Sequence, residues 1–293
     1  MTLVAPDPEL QQILDLARDL ALRAGSLQAD RYETELTIET KSASIDLVTE
    51  VDEACEALIV EGIRAGRPDD AILAEEGQGD GDGDGDGDEG AGVRWIIDPL
   101  DGTTNFAHGF PRFCVSIGVE RHGVREVGVV YDPLLDERYE AVRGAGAWLG
   151  ARRLRVTHEA DLGRALIATG FAYDVHRSED DNLARFVHIV KHARGIRRDG
   201  SAALDLCCVA AGRLDGYWEI KLKPWDVSAG LLLVEEAGGR TSDLAGRPAP
   251  RSGEEILVSN GPLHETLRRH LADAPALSAD ATDASGALTP RPA

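Results

Sequence analysis

No apolar run in the 293 residues approaches the roughly 20 needed to cross a bilayer. The first residues, Met1 to Glu9, carry neither a basic leader nor an apolar stretch behind it, so no secretory signal is expected and the cytoplasm is the expected location. Cysteine is scarce and badly spaced for a metal: Cys55, Cys114, Cys207 and Cys208 read as small buried hydrophobes in a reducing compartment. Positive charge is in deficit. Thirty-one Lys and Arg against 52 Asp and Glu give a formal charge of −21, which argues against nucleic acid and anionic membranes as partners. Six of those acids fall in residues 80–89, which contain no base. Hydrophobic residues, at 43%, suffice for a large core in one domain or in two tightly joined lobes.

What is present centres on Trp95 to Phe106. Val93 to Ile97, apart from Arg94, reads as a strand buried on both faces. It is expected to end at Asp98-Pro99, because Pro99 cannot donate to a sheet ladder. Asp98 and Asp101 flank the bend, and Gly102, Thr103 and Thr104 follow as a helix start with free N–H groups. A single acid there would be an ordinary turn or cap residue. Two acids beside oxyanion donors are the equipment of a metal-dependent phosphate enzyme. An acidic chain needs a cation to approach a phosphate, and bound metal meets that need.

The remaining segments supply further acids. Asp7, Pro8 and Glu9 start a helix whose stripe, Leu10 through Ala24, is read as packing without chemistry. Tyr32 to Glu39 reads as a strand and Lys41 to Thr49 as a polar loop. Thr49 and Asp52 fit a capping box opening a helix that ends before Gly66. The strand Ala71 to Ala74 ends in Glu75-Glu76, where acids commonly line a site in layered folds. Gly79 to Gly90 alternates Gly and Asp and is expected to be a flexible acidic loop; its likeness to a calcium loop fails at the twelfth position, Ala91. Strands are expected at Phe113 to Glu120, Val124 to Tyr131, Glu137 to Val142 and Leu154 to Thr157, forming a mostly antiparallel sheet. Gly144, Gly146 and Gly150 miss the dinucleotide spacing and read as a glycine-rich connection.

A second α/β portion follows. Its expected strands are Ala165 to Thr169, Gly195 to Arg198, Leu214 to Ile220 and Ile256 to Ser259, and its expected helices are Ser178 to His192, Ala202 to Ala211, Pro224 to Ala237 and Pro262 to Leu271. Gly200-Ser201 is a second candidate anion or hydroxyl site, or a plain cap. Asp226 sits in a first helical turn, where it also suits the helix dipole. One domain over 1–271 is expected, with portions at about 1–157 and 158–271 and a disordered tail over 272–293.

Taken together, these segments resemble the inositol monophosphatase family of magnesium-dependent phosphatases. The resemblance rests on Trp95 to Phe106, on Trp225 to Gly230 with Glu235 to Gly239 behind it, and on Lys41 to Asp52, Glu75 to Gly77, Gly200 to Ala202 and Tyr217 to Glu219 in the same order. It covers roughly Leu10 to Leu271. It implies a layered αβαβα sandwich, an α/β (α+β) fold, as a homodimer. Glu75, Asp98 and the Leu100 carbonyl are then implied ligands of one Mg²⁺, and Asp98, Asp101 and Asp226 of a second. Glu75 is implied to hold a third ion through water. The implied reaction hydrolyses inositol monophosphate by direct in-line attack of metal-activated water, which Thr103 and Asp52 orient and deprotonate, with Glu75 also in the catalytic set. Gly102 and Thr103 N–H groups are implied phosphate donors, and Asp101, Ala202, Glu219 and Asp226, with Ser201 and Lys41, implied substrate contacts. The unusual Gly/Asp insertion and Lys223 before Pro224 depart from the family pattern and bear on the substrate rim.

Three other readings compete. A sister phosphatase would act on fructose 1,6-bisphosphate, histidinol phosphate or a nucleotide 3′-phosphate; Thr104-Asn105 and Glu219 favour inositol. A non-catalytic cation- or partner-binding protein is disfavoured because Glu75, Asp98, Asp101, Thr103 and Asp226 are all present. A calcium sensor built on the Gly/Asp loop is the poorest of the three.

Overall fold

The computed structural model describes Leu3 and residues 7–80 and 92–276. Most of the Gly/Asp loop and the end of the tail lie outside the described residues. Helix α1 (Pro8–Arg31) starts as its sequence dictates, with Asp7 Oδ1 accepting from Leu10 N at 2.8 Å, and it buries the stripe from Leu10 to Ala24. Strands β1 (Ile38–Thr40) and β2 (Leu47–Thr49) pair antiparallel. The expected strand from Tyr32 is thus reduced to three residues, because Tyr32 caps α1, and the Lys41–Asp46 loop becomes a hairpin turn. Helix α2 (Glu50–Gly66) opens with the expected Thr49/Asp52 box.

Seven strands form the larger sheet: β3 (Ala71–Ala74), β4 (Val93–Asp101), β5 (Cys114–Arg121), β6 (Val124–Asp132), β7 (Glu137–Val142), β8 (Gly146–Leu149) and β9 (Arg152–Arg153), in that order, with helix α3 (Thr103–Ala107) after β4. Only β3 and β4 are parallel. Pro99 does not end β4. The pairing of β4 with β5 shifts register between Asp98 and Asp101, so a bulge absorbs the proline and the strand runs on to Asp101. Leu154 to Thr157 is extended but forms no ladder. Leu154 and Val156 are buried between layers, bonding to Ala147 O and Ala237 O, which imitates strand alternation.

The second sheet has the order β11-β10-β12-β14-β13, from β10 (Leu166–Thr169), β11 (Gly195–Arg197), β12 (Gly216–Ile220), β13 (Arg240–Ser242) and β14 (Glu255–Ser259). Among them run α4 (Leu183–Val190), α5 (Ala202–Ala210), α6 (Pro224–Glu236) and α7 (His264–Ala272). The Ser178–His192 helix is shortened to α4 because Asn182 adopts φ 65° and spends its amide on Thr169 Oγ1 and Gly170 O. Strand β13 was not expected from its sequence.

The layers follow from which faces are apolar. Helices α1 and α2 share a core with one face of the larger sheet, through Val115, Ile117, Val119, Val127 and Val129. Helices α5 and α6 fill the space between the sheets, and α4 and α7 cover the outer face of the second sheet through Ile189, Leu267 and Leu271. This is the expected αβαβα sandwich. Gly118 and Gly128 are direct cross-strand partners, and a Cβ on either would stand 2.3 Å from Ser228 Oγ or 2.8 Å from Ala229 O. The glycine pair lets the α6 backbone lie on the sheet, which carries Asp226 to the end of β4. Among the described residues no helix is long and apolar enough to cross a membrane.

Candidate active site

A cleft of about 520 Å³ opens where β3, β4, α3, α5, β12 and α6 meet, between the ends of the two sheets. Its lining includes Glu75 just after β3, Asp98 to Asp101 from the β4 bulge, Gly102 and Thr103 at α3, Ala202 on α5, Glu219 on β12 and Asp226 on α6. Lys41, from the β1–β2 turn, and Ser201 complete it. Every residue singled out from sequence therefore converges here except Asp52, which is fully buried behind Thr103.

The turn after β4 has Gly102 at φ 99°, where a Cβ would stand 2.8 Å from Arg112 O. Any side chain would therefore be both strained and obstructed. Asp98 Oδ1 accepts from Leu100 N at 3.0 Å, closing the bulge on itself. Thr103 Oγ1 lies 2.8 Å from Asp52 Oδ1 and 3.1 Å from the Leu100 carbonyl. The other Asp52 oxygen accepts from Thr49 N at 2.9 Å and Thr49 Oγ1 at 2.5 Å. Asp52 thus serves both readings at once: one oxygen caps α2 and the other holds Thr103.

Two site residues are engaged otherwise than their sequence implied. Ser201 Oγ and Ala203 N donate to Asp101 Oδ2 at 2.6 and 2.7 Å, so the start of α5 is already occupied by a carboxylate of the protein. Lys41 Nζ sits 2.9 Å from Glu75 Oε1 and 2.5 Å from Glu76 Oε1. Burial opposes the Lys41 charge, but Glu75 and Glu76 outweigh it and hold the ammonium well above its usual range.

The cleft is strongly acidic. Burial, then the charges of Glu75, Asp101 and Asp226, push Asp98 well above the usual carboxylate range. Burial, then Glu75 and Asp101, does the same to Asp226. Asp101 is raised by burial against the pull of Ser201 and the α5 amides, and Asp52 by burial against Thr49 and Thr103. Burial and Glu75 push Glu76 up to about 7, and burial pushes Glu219 up to about 7. The clustered carboxylates of Glu75, Asp98, Asp101 and Asp226, with no His or Cys in the lining, are a donor set for a hard divalent cation, whose charge would relieve their mutual repulsion.

Sequence reasoning overlooked the support beneath these groups. Gln28, assigned to a helix without chemistry, donates Nε2 to Pro99 O at 2.8 Å and so holds the bulge between Asp98 and Asp101. Its signal was available: Gln28 is a polar residue one turn beyond Ala24 on the buried stripe. Asn105 Nδ2 bridges Arg112 O and Asp199 O at 2.7 and 2.8 Å, tying α3 to the α5 loop. Tyr217 donates its hydroxyl to Glu219.

Comparison with known proteins agrees with this fold. The family model described as "Inositol monophosphatase family" matches residues 9–276. An "Inositol-1-monophosphatase" of Synechocystis sp. is 43% identical over 268 residues, 91% of this chain and 91% of that protein. A protein named "Nus factor SuhB" from Haemophilus influenzae is 43% identical over 262 residues, 89% of this chain and 96% of its own length. The solved structure of inositol monophosphatase from Anabaena (Nostoc) sp. PCC 7120 superposes with a TM-score of 0.82 at 43% identity, covering 92% of this chain and 99% of that one.

Proposed function

The chain belongs to the inositol monophosphatase family, and on that premise we propose that it hydrolyses inositol monophosphate to inositol and phosphate as a Mg²⁺-dependent phosphomonoesterase. The observation that carries this reading is the convergence of Glu75, Asp98, Asp101 and Asp226, from three separate parts of the chain (the end of β3, the β4 bulge and α6), beside Thr103 in one cleft. Glu75, Asp98 and the Leu100 carbonyl would hold one Mg²⁺, and Asp98, Asp101 and Asp226 a second; Glu75 would also help to hold a third. When bound, the metal supplies Lewis-acid stabilisation of the phosphoryl oxygens and a water of lowered pKa.

The protein's own groups orient and deprotonate. Thr103 Oγ1 has one proton to give, and giving it to Asp52 Oδ1 turns its lone pairs toward the cleft. There they accept from the attacking water and hold it in line with the phosphorus. As the water's proton reaches Thr103 Oγ1, the hydroxyl proton passes to Asp52, whose burial already favours the protonated acid. Asp52 acts through Thr103 and touches no substrate. The Gly102 and Thr103 amides hold phosphate oxygens, Lys41 supplies a positive charge at the rim, and Asp101, Ala202, Glu219 and Asp226 face the ring hydroxyls, with Ser201 steadying Asp101. The proposed unit is one domain over residues 1–271 working as a homodimer on a small phosphate ester.

The test is kcat/KM over a panel of phosphate esters, beside Asp98→Asn. Inositol monophosphate should lead fructose 1,6-bisphosphate, histidinol phosphate and nucleotide 3′-phosphates, and the variant should fold yet release no phosphate. A different leader moves the substrate assignment to a sister phosphatase. Undiminished turnover in the variant removes the site.

A further inference from the structure

We propose that His188, His192 and His270 form a second metal site, separate from the acidic cleft, that takes a borderline-soft divalent cation of the Zn²⁺ class. The three meet where α4 and α7 cross the outer face of the second sheet. One ring nitrogen from each lies within 4.8 Å of the other two. His188 Nε2 and His270 Nδ1 are 3.2 Å apart. A tetrahedral ion with Zn–N bonds of about 2.0–2.1 Å needs its ligand atoms about 3.3 Å apart, so this pair already stands at ligand spacing.

His192 completes the set by local geometry. It follows His188 by four residues, and the chain is still winding there, with His192 N bonded to Ile189 O at 2.9 Å. Both rings therefore share a face, their centroids 4.4 Å apart. His192 Nδ1 lies 2.7 Å from the His188 carbonyl oxygen. Donating a proton there fixes the tautomer, leaves Nε2 as the ligand atom and supplies the outer hydrogen bond that ligating histidines usually have. The scaffold beneath is firm: Ile189 is fully buried, and Leu267 and Leu271 flank His270 in the same apolar cluster.

Access and protonation suit an ion. His192 is exposed and His188 and His270 half-buried, so an ion can enter and water can fill the remaining position. Burial and the neighbouring histidines hold the His188 and His270 rings below the usual imidazole range, which keeps them neutral and able to bind. Imidazole donors prefer Zn²⁺, Ni²⁺ or Cu²⁺, whereas the cleft offers only hard oxygens. An ion held there cross-links α4 to α7.

The experiment titrates Zn²⁺ into untagged, chelator-stripped full-length protein in saturating Mg²⁺, by calorimetry and by proton–nitrogen correlation of the imidazole rings. One equivalent should bind and shift the rings of His188, His192 and His270 but not those of the other five histidines. His192→Ala and His270→Ala should each weaken binding about 10-fold or more while Mg²⁺-dependent turnover stays unchanged. Binding that survives both variants but vanishes in Asp98→Asn would place the Zn²⁺ in the cleft and overturn the proposal. So would a wild-type protein that takes up no Zn²⁺ beside Mg²⁺.

Discussion

Glu219 lies on β12 at 8% exposure, accepts from the Tyr217 hydroxyl, and has its oxygens 2.1 and 2.2 Å from where a Cβ on Gly170 would stand. Burial in that slot pushes its carboxyl from 4.5 up to about 7. A folded-state value above the unfolded one means that the stability it allows is complete below pH 4.5 and is lost as pH rises toward 7. At 1.36 kcal/mol per unit the loss is roughly 3 kcal/mol. Glu219→Gln keeps an acceptor for Tyr217 and removes the titration. Variant and parent should therefore match near pH 4.5, and the variant should be more stable by roughly 3 kcal/mol at neutral pH and above, about 6 °C in melting temperature for a chain of this size. Thermal and urea melts in chelator across this pH range measure it; Asp205 and Asp226, which the Glu219 charge also holds up, ease in the same variant. Substrate binding should move the other way, with KM for inositol monophosphate rising about 10- to 100-fold as a charged hydrogen bond to a ring hydroxyl is lost. Curves that stay parallel from acid to neutral pH would refute the burial argument, and an unchanged KM would remove Glu219 from the substrate contacts.

Thr103→Val keeps the branched shape but takes away the hydroxyl between Asp52 and the cleft; kcat should fall about 100- to 1,000-fold with KM nearly constant, and a loss confined to KM would contradict the assigned role. Gln28→Leu leaves the buried Pro99 carbonyl unpaired, so stability should drop by about 1–3 kcal/mol and Mg²⁺ affinity should weaken as the bulge loosens; wild-type values for both would sink that reading. Mg²⁺ at about 100 times its Kd should add roughly 2.7 kcal/mol to wild-type stability and nothing to Asp98→Asn, as calorimetric melts would reveal. Replacing residues 81–91 by Gly and Ser of equal length should leave turnover intact. The exchange stops short of Asp80, whose carboxylate accepts from Ile72 N at 2.9 Å and pins the loop's start to β3; inactivity would give the acidic loop a role.

Much of this was legible in the chain because it is local. The α1 stripe and its Asp7 cap, the Thr49/Asp52 box and the strand Ala71–Ala74 all follow from residues within a turn or two of one another. What was misread depends on distant partners. Pro99 alone predicts a strand end, because a proline removes a ladder donor. Only with β5 alongside, and with Gln28 arriving from α1 to take the Pro99 carbonyl, does the bulge form instead. Asn182 sits inside an amphipathic pattern yet breaks the helix, since Thr169, Gly170 and Trp218 satisfy its side chain better than helical neighbours could.

The sequence by itself determined which chemistry is available: hard oxygen donors in Glu75, Asp98, Asp101 and Asp226, a hydroxyl at Thr103 and a turn that only Gly102 allows. Composition and spacing are enough for that, because ligand type and backbone freedom belong to single residues. Only the tertiary structure decided how those groups are used. Asp52 became a buried partner of Thr103, the α5 amides were given to Asp101, and Lys41 was drawn onto Glu75. A hydrogen bond or a charge interaction acts over a few ångströms, and these pairs are separated by 51, 102 and 34 residues. Nothing short of the packed layers brings them within that range.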